Sequence, residues 1–301
     1  LFNYVDVVYT SSYHVFNTLS LLDNHLSYAS KYFDFIDFPG FGDINHGISR
    51  LSRKTPSLEL LRLDFAYPDE PEKKVLENIS LKIKAGEKVT FFGGDSSGKS
   101  SLVKILTGLY EVTSGDYLIG GYYVRELDRG QLKKKIAVTF QDFVNYSFSI
   151  RENITLTGEK KKFNRELYNK VIKVCEIDKF MKRENISDTL KLGKYLDCKE
   201  LSPGYWQRLA IARMLYRNRD IFILDEPFTF IDGPSRERII KGVLKFAGPH
   251  RTVILISRDT DVLDMFDTIF VLEKGHVTER GDWKELLKKR GRFYKEVKYN
   301  Q

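Results

Sequence analysis

The sequence predicts an α/β fold that is built on a mostly parallel β-sheet and carries a helical insertion. Apolar, strand-like runs alternate with helix-compatible segments, and four runs are nearly all-apolar, as expected of strands buried on both faces. From about Ser149 to Arg217 the pattern is helical instead, which predicts the insertion. The strand-like runs are Leu58 to Phe65, Lys88 to Phe92, Lys135 to Thr139, Ile221 to Leu224, Thr252 to Ser257 and Thr268 to Leu272.

Two shorter regions precede this α/β domain. Leu19 to Phe35 carries apolar residues at helical spacing, which predicts an amphipathic helix. Phe38 to Ser57 is rich in Gly, Pro and Ser, which is typical of a linker. We therefore divide the chain into residues 1–57, the helix and linker, and residues 58–301, one α/β domain with a helical part at about 143–217.

Composition limits the class of protein. The 301 residues are 42% hydrophobic and 30% charged, which describes a globular protein with ample material for a core. The net charge of +8 is scattered along the chain, so we expect no nucleic-acid partner. Cys175 and Cys198 form neither a metal motif nor a disulfide framework, which fits a reducing cytoplasm. No run approaches the roughly 18 apolar residues of a transmembrane helix, and a start at Leu1 rather than Met predicts a piece of a longer polypeptide.

A glycine-rich run lies between the strand ending at Phe92 and the next helix. Gly93 to Ser100 fits G-x-x-x-x-G-K-[ST], in which glycines let the backbone wrap a phosphate and N–H groups point inward. We expect Lys99 to reach the β- and γ-phosphates of a nucleotide and the Ser100 hydroxyl to ligate Mg²⁺. The predicted phosphate-binding residues are Gly93, Gly94, Asp95, Ser96, Ser97, Gly98, Lys99, Ser100 and Ser101.

A second apolar strand, Ile221 to Leu224, ends in two carboxylates. A buried strand would place Asp225 at the carboxyl edge of the sheet, beside the phosphate-binding loop. Asp225 then suits coordination of Mg²⁺, directly or through a water. Glu226 suits polarising an attacking water as a general base.

Several motifs together resemble the ATP-binding cassette (ABC) ATPases. Leu201 to Arg213, LSPGYWQRLAIAR, resembles the L-S-G-G-Q signature of that family and the helix that follows it. Gln141 is similar to the family's Q-loop glutamine, Asp232 to its D-loop aspartate, and Tyr67 to the aromatic residue that stacks on adenine. The resemblance covers Leu58 to about Leu287. It implies a P-loop NTPase (RecA-like) fold with an N-terminal antiparallel β part, which binds ATP with Mg²⁺.

The resemblance also implies a partner and a mechanism. In this family two cassettes sandwich two ATP molecules, so Ser202 and Gly204 would contact ATP held by a second cassette, in a homodimer or a heterodimer. Gln141, Glu226 and Asp232 would serve hydrolysis, and Gln141 would also approach the metal ion.

The segment around Gln141 identifies the subtype. Phe140 to Phe143, followed by Phe148 to Ile154, is similar to exporter-type cassettes. That likeness implies ATP-driven transport, a membrane domain that is absent from this chain, and a position at the cytoplasmic face of the cell membrane. By the same resemblance Leu19 to Phe35 is similar to the cytoplasmic end of the last membrane-domain helix, and an ordinary N-terminal docking helix is the alternative.

Five positions depart from the family pattern. Pro203 replaces a glycine and has no N–H to offer a phosphate, and Tyr205 replaces a glutamine and would bring a bulky ring to the ATP-facing edge. Arg258 occupies the place of the switch histidine, and we count it as catalytic although it is always a cation and never a hydrogen-bond acceptor. Ser96 replaces a glycine and would be strained at positive φ, whereas Asp95 is expected to point to solvent.

These departures leave three hypotheses open. The retained Glu226 favours an exporter ATPase with slow turnover. Arg258, Pro203 and Tyr205 favour a nucleotide-gated, largely non-hydrolytic subunit of a heterodimeric transporter. A soluble ABC protein that acts in DNA repair or translation is the third, although this chain has neither a second cassette nor a long coiled-coil insertion.

Overall fold

The structure, a computed structural model, describes residues 8–18, 21, 31, 51, 54–156, 162–194 and 198–299. The chain forms two compact units, Leu1–His46 and Gly47–Gln301. In the first unit residues 8–18 are helical and their side chains are exposed. The predicted amphipathic helix lies outside the described residues apart from Leu21 and Lys31, and most of the predicted linker does so too. Across the described residues, we find no helix with the length and apolar character that crossing a bilayer requires.

The strands of the second unit form two sheets in the described part of the chain. They are β1 (Leu58–Ala66), β2 (Lys74–Ile83), β3 (Lys88–Phe92), β4 (Ser114–Ile119), β5 (Tyr122–Tyr123), β6 (Ile136–Thr139), β7 (Ile221–Asp225), β8 (Thr252–Ser257), β9 (Thr268–Glu273) and β10 (His276–Gly281). The first sheet is antiparallel, in the order β2-β1-β4-β5. The second has six strands in the order β10-β9-β3-β8-β7-β6.

Helices cover the larger sheet and form the insertion. In the described part of this unit they are α1 (Lys99–Leu106), α2 (Arg129–Lys135), α3 (Ile150–Thr155), α4 (Arg165–Val174), α5 (Ile177–Arg183), α6 (Pro203–Tyr216), α7 (Gly233–Ala247), α8 (Trp283–Lys289) and α9 (Arg292–Tyr299). Because α3 to α6 all lie between β6 and β7 along the chain, the structure has the helical insertion that the sequence predicts.

The larger sheet is parallel except at one edge. Strands β6, β7, β8, β3 and β9 run in the same direction, and β10 pairs antiparallel with β9. Every residue of β7 and β8 is buried, which explains their continuous apolar sequence. Phe92 pairs with Ser257, and Asp225 pairs with Ile256. The chain segments that follow β3, β7 and β8 therefore start side by side at the carboxyl edge of the sheet.

Alternate residues of the sheet feed two hydrophobic cores. Phe222 and Leu224 of β7 pack in the core shared with the helical insertion. Ile221 and Ile223 pack in the core shared with α1 and the antiparallel sheet. Because successive strand side chains point to opposite faces, one strand serves both cores. The α/β class, the mostly parallel sheet and the antiparallel N-terminal part are thus confirmed.

Four strands, β2, β4, β5 and β10, were not predicted from the sequence. Buried and exposed residues alternate through much of β2, and β10 has no buried residue at all, so neither contains a continuous apolar run. Strand β5 has only two residues. All six strands that were predicted are present, with ends within one residue of the expected ones.

Candidate functional site

At two positions of the phosphate loop between β3 and α1, neighbouring atoms leave no room for a side chain, so glycine is needed there. A Cβ atom at Gly93 would lie 2.4 Å from the carbonyl oxygen of Leu272 in β9. Gly98 has a φ of +99°, and a Cβ there would lie 2.6 Å from Cδ2 of Leu76. Gly94 differs, since a Cβ at that position would meet nothing within 4 Å. The loop is thus tightly packed on its inner side and open on its outer side.

Lys99 is held inside this loop. Its side chain is 5% exposed, and Nζ donates hydrogen bonds to the carbonyl oxygens of Gly93, at 2.8 Å, and Gly94, at 2.6 Å. Burial lowers the pKa of Lys99, while the nearby carboxylates of Glu226, Asp95 and Asp225 act in the opposite direction. The ammonium group is therefore held by two carbonyl groups of the loop, and its contact with a phosphate stays a prediction.

The serines of the loop have different environments. Ser96 has a φ of +58°, so the backbone strain expected for a residue other than glycine is present. Ser97 is buried, and Ser100 is exposed at the second position of α1. The Ser101 hydroxyl shares a hydrogen bond of 2.9 Å with the Tyr67 hydroxyl.

Tyr67 lies beside the phosphate loop within a group of aromatic side chains. Its ring meets those of Phe65 and Tyr110 edge to face, with centroids 4.9 Å and 5.2 Å away. Lys104 donates a 3.2 Å hydrogen bond to the Tyr67 hydroxyl and lies 5.1 Å from the ring centroid. The half-buried ring is thus held next to the loop, and its stacking on adenine stays a prediction.

Asp225 ends β7 as a buried carboxylate. Its side chain is buried, and Oδ1 has no hydrogen-bond partner among the described residues. Burial, with a further contribution from the charge of Glu226, raises the pKa of Asp225 to about 6, and Lys99 partly opposes this rise. A buried oxygen that accepts no hydrogen bond destabilises the folded state unless a ligand or an ion binds to it.

Glu226 has an unusual backbone conformation, with a φ of +42°. Its N–H donates to the carbonyl oxygen of Ile256 at 3.0 Å, which ties the residue to β8. The side chain is nearly buried, with Oε1 3.9 Å from Lys99 Nζ and Oε2 accepting a 3.4 Å hydrogen bond from Gln141 Nε2. The structure thus brings together three residues that lie far apart in the sequence.

A cavity of about 560 Å³ lies along the phosphate loop. Its walls include the phosphate loop from Asp95 to Ser101 together with Gln141 and Glu226. Lys73, Lys74 and Lys274 also line it, and the sequence analysis missed all three. The adjacent Lys73 and Lys74, at the start of β2, were a visible signal, whereas Lys274 reaches the cavity from the turn between β9 and β10, which no local pattern indicates.

The residues near Asp225 fit a magnesium ion. Mg²⁺ prefers oxygen ligands and keeps several waters. The Ser100 hydroxyl, the Gln141 amide oxygen and the unpartnered Oδ1 of Asp225 are such ligands, and Ser100 and Gln141 line the same cavity. The donor set, above all the orphaned carboxylate oxygen, therefore matches the predicted metal.

Arg258 directly follows β8 and faces the site. Its Nη1 donates to Asp95 Oδ1 at 3.4 Å, and its Nε lies 3.9 Å from Glu226 Oε2. Arg258 thus has carboxylates on two sides, although its side chain is 48% exposed. Asp95 is 80% exposed, as expected, but it also has this ion-pair partner.

The signature segment begins α6. Ser202 is the N-cap residue, yet its exposed side chain makes no capping hydrogen bond, and Pro203 occupies the first helical position. A Cβ at Gly204 would lie 2.5 Å from the carbonyl oxygen of Phe230, so this glycine allows α6 to pack against the segment after β7. Ser202 and Gly204 do not line the cavity described above.

Comparison with known proteins identifies the family. A family model described as "ABC transporter" matches residues 76–229, which include the phosphate loop, the signature and the acidic strand end. The chain belongs to the ABC transporter family. Members of this family generally bind ATP and act as ATPases.

Individual relatives resemble this cassette along most of its length. The subtilin transport ATP-binding protein SpaT of Bacillus subtilis is 29% identical over 94% of this chain. The ATP-dependent lipid A-core flippase of Syntrophus aciditrophicus is 31% identical over 93% of it. A bacterial Atm1-family ABC exporter, solved with ATP bound, superposes with a TM-score of 0.77, 26% identity and 85% coverage of this chain. The chain spans 44% to 46% of the length of these three proteins.

Tyr205, in the signature segment, packs within the helical insertion. Its ring packs on Phe180 of α5 with centroids 3.9 Å apart, and the guanidinium groups of Arg183 and Arg208 lie 5.7 Å and 5.6 Å from the ring centroid. The side chain is half-buried against the core of the helical insertion, and its approach to a partner's ATP stays a prediction. Burial of aromatic area between α5 and α6 determines this direction.

Asp232 caps α7, and its 62% exposed side chain accepts a hydrogen bond from the Ser235 N–H at 2.9 Å. Arg208 of α6 lies 3.9 Å from it and donates to Glu176 at 2.8 Å. Burial alone would raise the pKa of Glu176, but hydrogen bonds from Arg238, Lys179 and Arg208 outweigh burial and hold that pKa well below its ordinary value. This ion-pair group joins the turn between α4 and α5 to α6 and α7.

Gln207 is a further residue that the sequence analysis missed. Its Nε2 donates to the carbonyl oxygen of Glu226 at 3.3 Å, and its Oε1 accepts from the Phe230 N–H at 2.9 Å. The side chain is 2% exposed and links the signature helix to the backbone of the strained Glu226. Gln207 lies within the signature segment LSPGYWQR, but its hydrogen-bond partners lie 19 and 23 residues away, so the sequence of that segment does not indicate them.

Proposed function

We propose that this cassette binds and slowly hydrolyses Mg-ATP as the ATPase domain of an exporter. The observation that carries the proposal is the position of Glu226, which lies between Lys99 and Gln141 at the wall of the cavity. A carboxylate held there, beside the residue expected to bind the γ-phosphate, suits polarising an attacking water.

The other residues have complementary roles in this proposal. Lys99 and the N–H groups of the phosphate loop bind the β- and γ-phosphates, as its burial inside the loop supports. Ser100, Gln141 and Asp225 hold Mg²⁺, which supplies charge neutralisation to the phosphates when bound. Tyr67 stacks on the adenine.

Two residues support slow turnover. Arg258 faces Glu226 but cannot accept a hydrogen bond from an attacking water, as a neutral histidine could. Pro203 begins α6 without an N–H to offer to a phosphate of a partner's ATP. Both deficits lie in the hydrolytic and cross-dimer parts of the site, so we expect them to affect turnover more than nucleotide binding.

We propose a second cassette as partner. The exposed Ser202, with no capping hydrogen bond of its own, and the exposed Asp232 would then face the nucleotide of that partner. Several relatives are named export ATP-binding/permease proteins, for example NdvA of Bartonella quintana, of which this chain spans 36%. By that likeness we place this cassette on a membrane domain at the cytoplasmic face of the membrane, where ATP-driven dimerisation would drive export.

Steady-state hydrolysis across protein concentration tests the proposal. We expect Mg-ATP turnover that rises steeply with concentration, since two cassettes form each site. Glu226→Gln should lower the rate by roughly 10²-fold or more while leaving ATP bound. Glu237→Gln, an exposed glutamate on α7, is the matched control and should leave the rate unchanged. Equal rates for Glu226→Gln and the parent protein would exclude the hydrolytic proposal.

The rival function is a nucleotide-gated subunit that hydrolyses little, as the missing acceptor at Arg258 and the missing N–H at Pro203 would allow. Arg258→His separates the two. A gain in turnover shows a hydrolytic site that is limited at this position. Tight ATP binding without hydrolysis, in both Arg258→His and the parent, favours the subunit of a heterodimer.

A further inference from the structure

Two departures from the family pattern contact each other across the site. Asp95 lies in the loop after β3, and Arg258 directly follows β8. These strands are parallel neighbours with Phe92 opposite Ser257, so the segments that follow them share one edge of the sheet. The resulting contact, 3.4 Å from Arg258 Nη1 to Asp95 Oδ1, joins residues 163 positions apart.

The guanidinium group of Arg258 has carboxylates on two sides. Asp95 is 80% exposed, whereas Glu226, 3.9 Å from Arg258 Nε, is only 10% exposed. Arginine is permanently charged and offers five N–H donors in a rigid fork, so it will bind the most favourable anion within reach. Since Asp95 is largely hydrated, its hold on Arg258 is the weaker and more readily exchanged one.

The pair lies next to the space that a terminal phosphate would occupy. Asp95, Lys99 and Glu226 line the cavity of about 560 Å³, and Glu226 and Arg258 line an adjoining cavity of about 130 Å³. A phosphate on Lys99 would therefore approach Glu226 and the guanidinium group beside it. Phosphate oxygens accept charge-assisted hydrogen bonds from arginine in the same forked geometry as a carboxylate does.

We propose that Asp95 and Arg258 form a latch, in which Asp95 holds Arg258 until the terminal phosphate of a nucleoside triphosphate takes its place. The inference rests on the proposed nucleotide binding and deepens it. Asp95 is then a positioning residue that competes with the phosphate for Arg258, rather than a phosphate ligand. A diphosphate lacks the group that would take over Arg258, so its binding leaves the latch closed.

The latch predicts a selective effect on triphosphate affinity. Exposed ion pairs contribute little free energy. Because the triphosphate must break this ion pair in order to bind, the pair should weaken triphosphate binding by roughly 2- to 5-fold. The effect should shrink as salt rises, because ions screen exposed charges. Diphosphate affinity should not depend on the latch.

A double-mutant cycle on the full chain tests it. Dissociation constants are measured by calorimetry with Mg²⁺ and either the β,γ-imido analogue of ATP or ADP, for the parent, Asp95→Asn, Arg258→Gln and the double variant. We expect Asp95→Asn to tighten binding of the ATP analogue roughly 2- to 5-fold more when Arg258 is present than when it is absent. For ADP the two gains should be equal. Asp95→Glu should restore the parent affinities.

A matched control separates the latch from simple repulsion between a carboxylate and phosphate. The charge of Asp142 acts on Asp225, yet among the described residues Asp142 forms no ion pair with Arg258. Asp142→Asn should therefore change affinity by the same factor in both Arg258 backgrounds. Equal gains from Asp95→Asn in the two backgrounds, or a smaller gain when Arg258 is present, would overturn the latch.

Failure of nucleotide binding would give a different result. If the parent binds neither nucleotide, the proposed function is wrong, and the latch is then tested on the nucleotide-free protein by the same cycle in thermal unfolding. Coupling between Asp95 and Arg258 that falls with salt supports the closed ion pair on which the latch depends. No coupling at low salt overturns it.

Discussion

The phosphate-loop site has an inner wall and an outer wall that differ in burial, and the difference follows the family pattern. The inner wall, which we define as Gly93, Ser97, Lys99, Asp225 and Glu226, is buried or nearly buried and retains the expected chemistry. The outer wall, formed by Lys73, Gly94, Asp95, Ser96 and Arg258, is solvent-facing and contains three of the five departures. Burial restricts what a position tolerates, so the exposed wall is where this site can be altered without loss of the fold.

The two lysines of the cavity give the largest expected contrast. Lys99→Ala removes a buried ammonium group that is already placed at the loop carbonyls, and we expect nucleotide affinity to fall by at least roughly 100-fold. Lys73→Ala, on the outer wall at 74% exposure, should lower it by less than about 3-fold. Calorimetric titration with ATP measures both. Comparable losses would contradict the distinction between the walls.

Asp225, on the inner wall, predicts a pH dependence of stability. The pKa of Asp225 is about 6 in the folded chain against an ordinary 3.8, so the folded state favours its proton. This contribution to stability is full below pH 3.8 and is lost as the pH rises through about 6, which amounts to about 3 kcal/mol.

Asparagine at position 225 does not titrate, so the Asp225→Asn variant does not lose this stability as the pH rises. We therefore expect the free energy of unfolding of Asp225→Asn, relative to that of the parent, to rise by up to about 3 kcal/mol between pH 4 and pH 7. Urea unfolding without nucleotide or metal measures the difference. Asp95→Asn is the control from the outer wall and should change stability by less than about 0.5 kcal/mol. If the stability difference between Asp225→Asn and the parent did not change with pH, burial of the Asp225 charge would not distinguish the two walls.

Gly93 and Gly94 test the packing part of the comparison. Gly93→Ala places a Cβ 2.4 Å from the Leu272 carbonyl oxygen, so backbone must move, and we expect a loss of about 1–3 kcal/mol in stability. Gly94→Ala meets nothing within 4 Å and should change stability by less than about 0.5 kcal/mol. Denaturant unfolding measures the stability of the two variants. Equal losses of stability would show that the inner wall is no more tightly packed than the outer wall.

The inner wall was also the part that the sequence predicted well. Apolar strands buried on both faces have a strong local pattern, so the ends of β3 and β7, and with them Lys99 and Asp225, followed from neighbouring residues. Contacts on the outer side depend on distant segments instead. The pair of Asp95 and Arg258 needs the pairing of β3 with β8, which no local pattern reveals.

Tyr205 shows the same limit in the signature helix. Its position within the motif suggested an ATP-facing ring, but the direction of the side chain depends on Phe180, which belongs to a different helix. A motif specifies residue types along one segment, and tertiary packing then decides where a bulky side chain lies.

Ser96 and Ser97 give the smallest expected difference in stability between the two walls. Here the substitution on the outer wall should stabilise the chain, and the one on the inner wall should destabilise it. Ser96 is on the outer wall with a φ of +58°, so Ser96→Gly relieves backbone strain and should stabilise the chain by up to about 1 kcal/mol. Ser97 is 5% exposed, and its Oγ accepts a 3.4 Å hydrogen bond from Lys99. Ser97→Gly loses that contact and adds chain entropy to the unfolded state, so it should destabilise by about 0.5–1 kcal/mol. Thermal unfolding of both variants in one buffer measures the difference, and a stabilised Ser97→Gly would mean that the inner wall is strained as well.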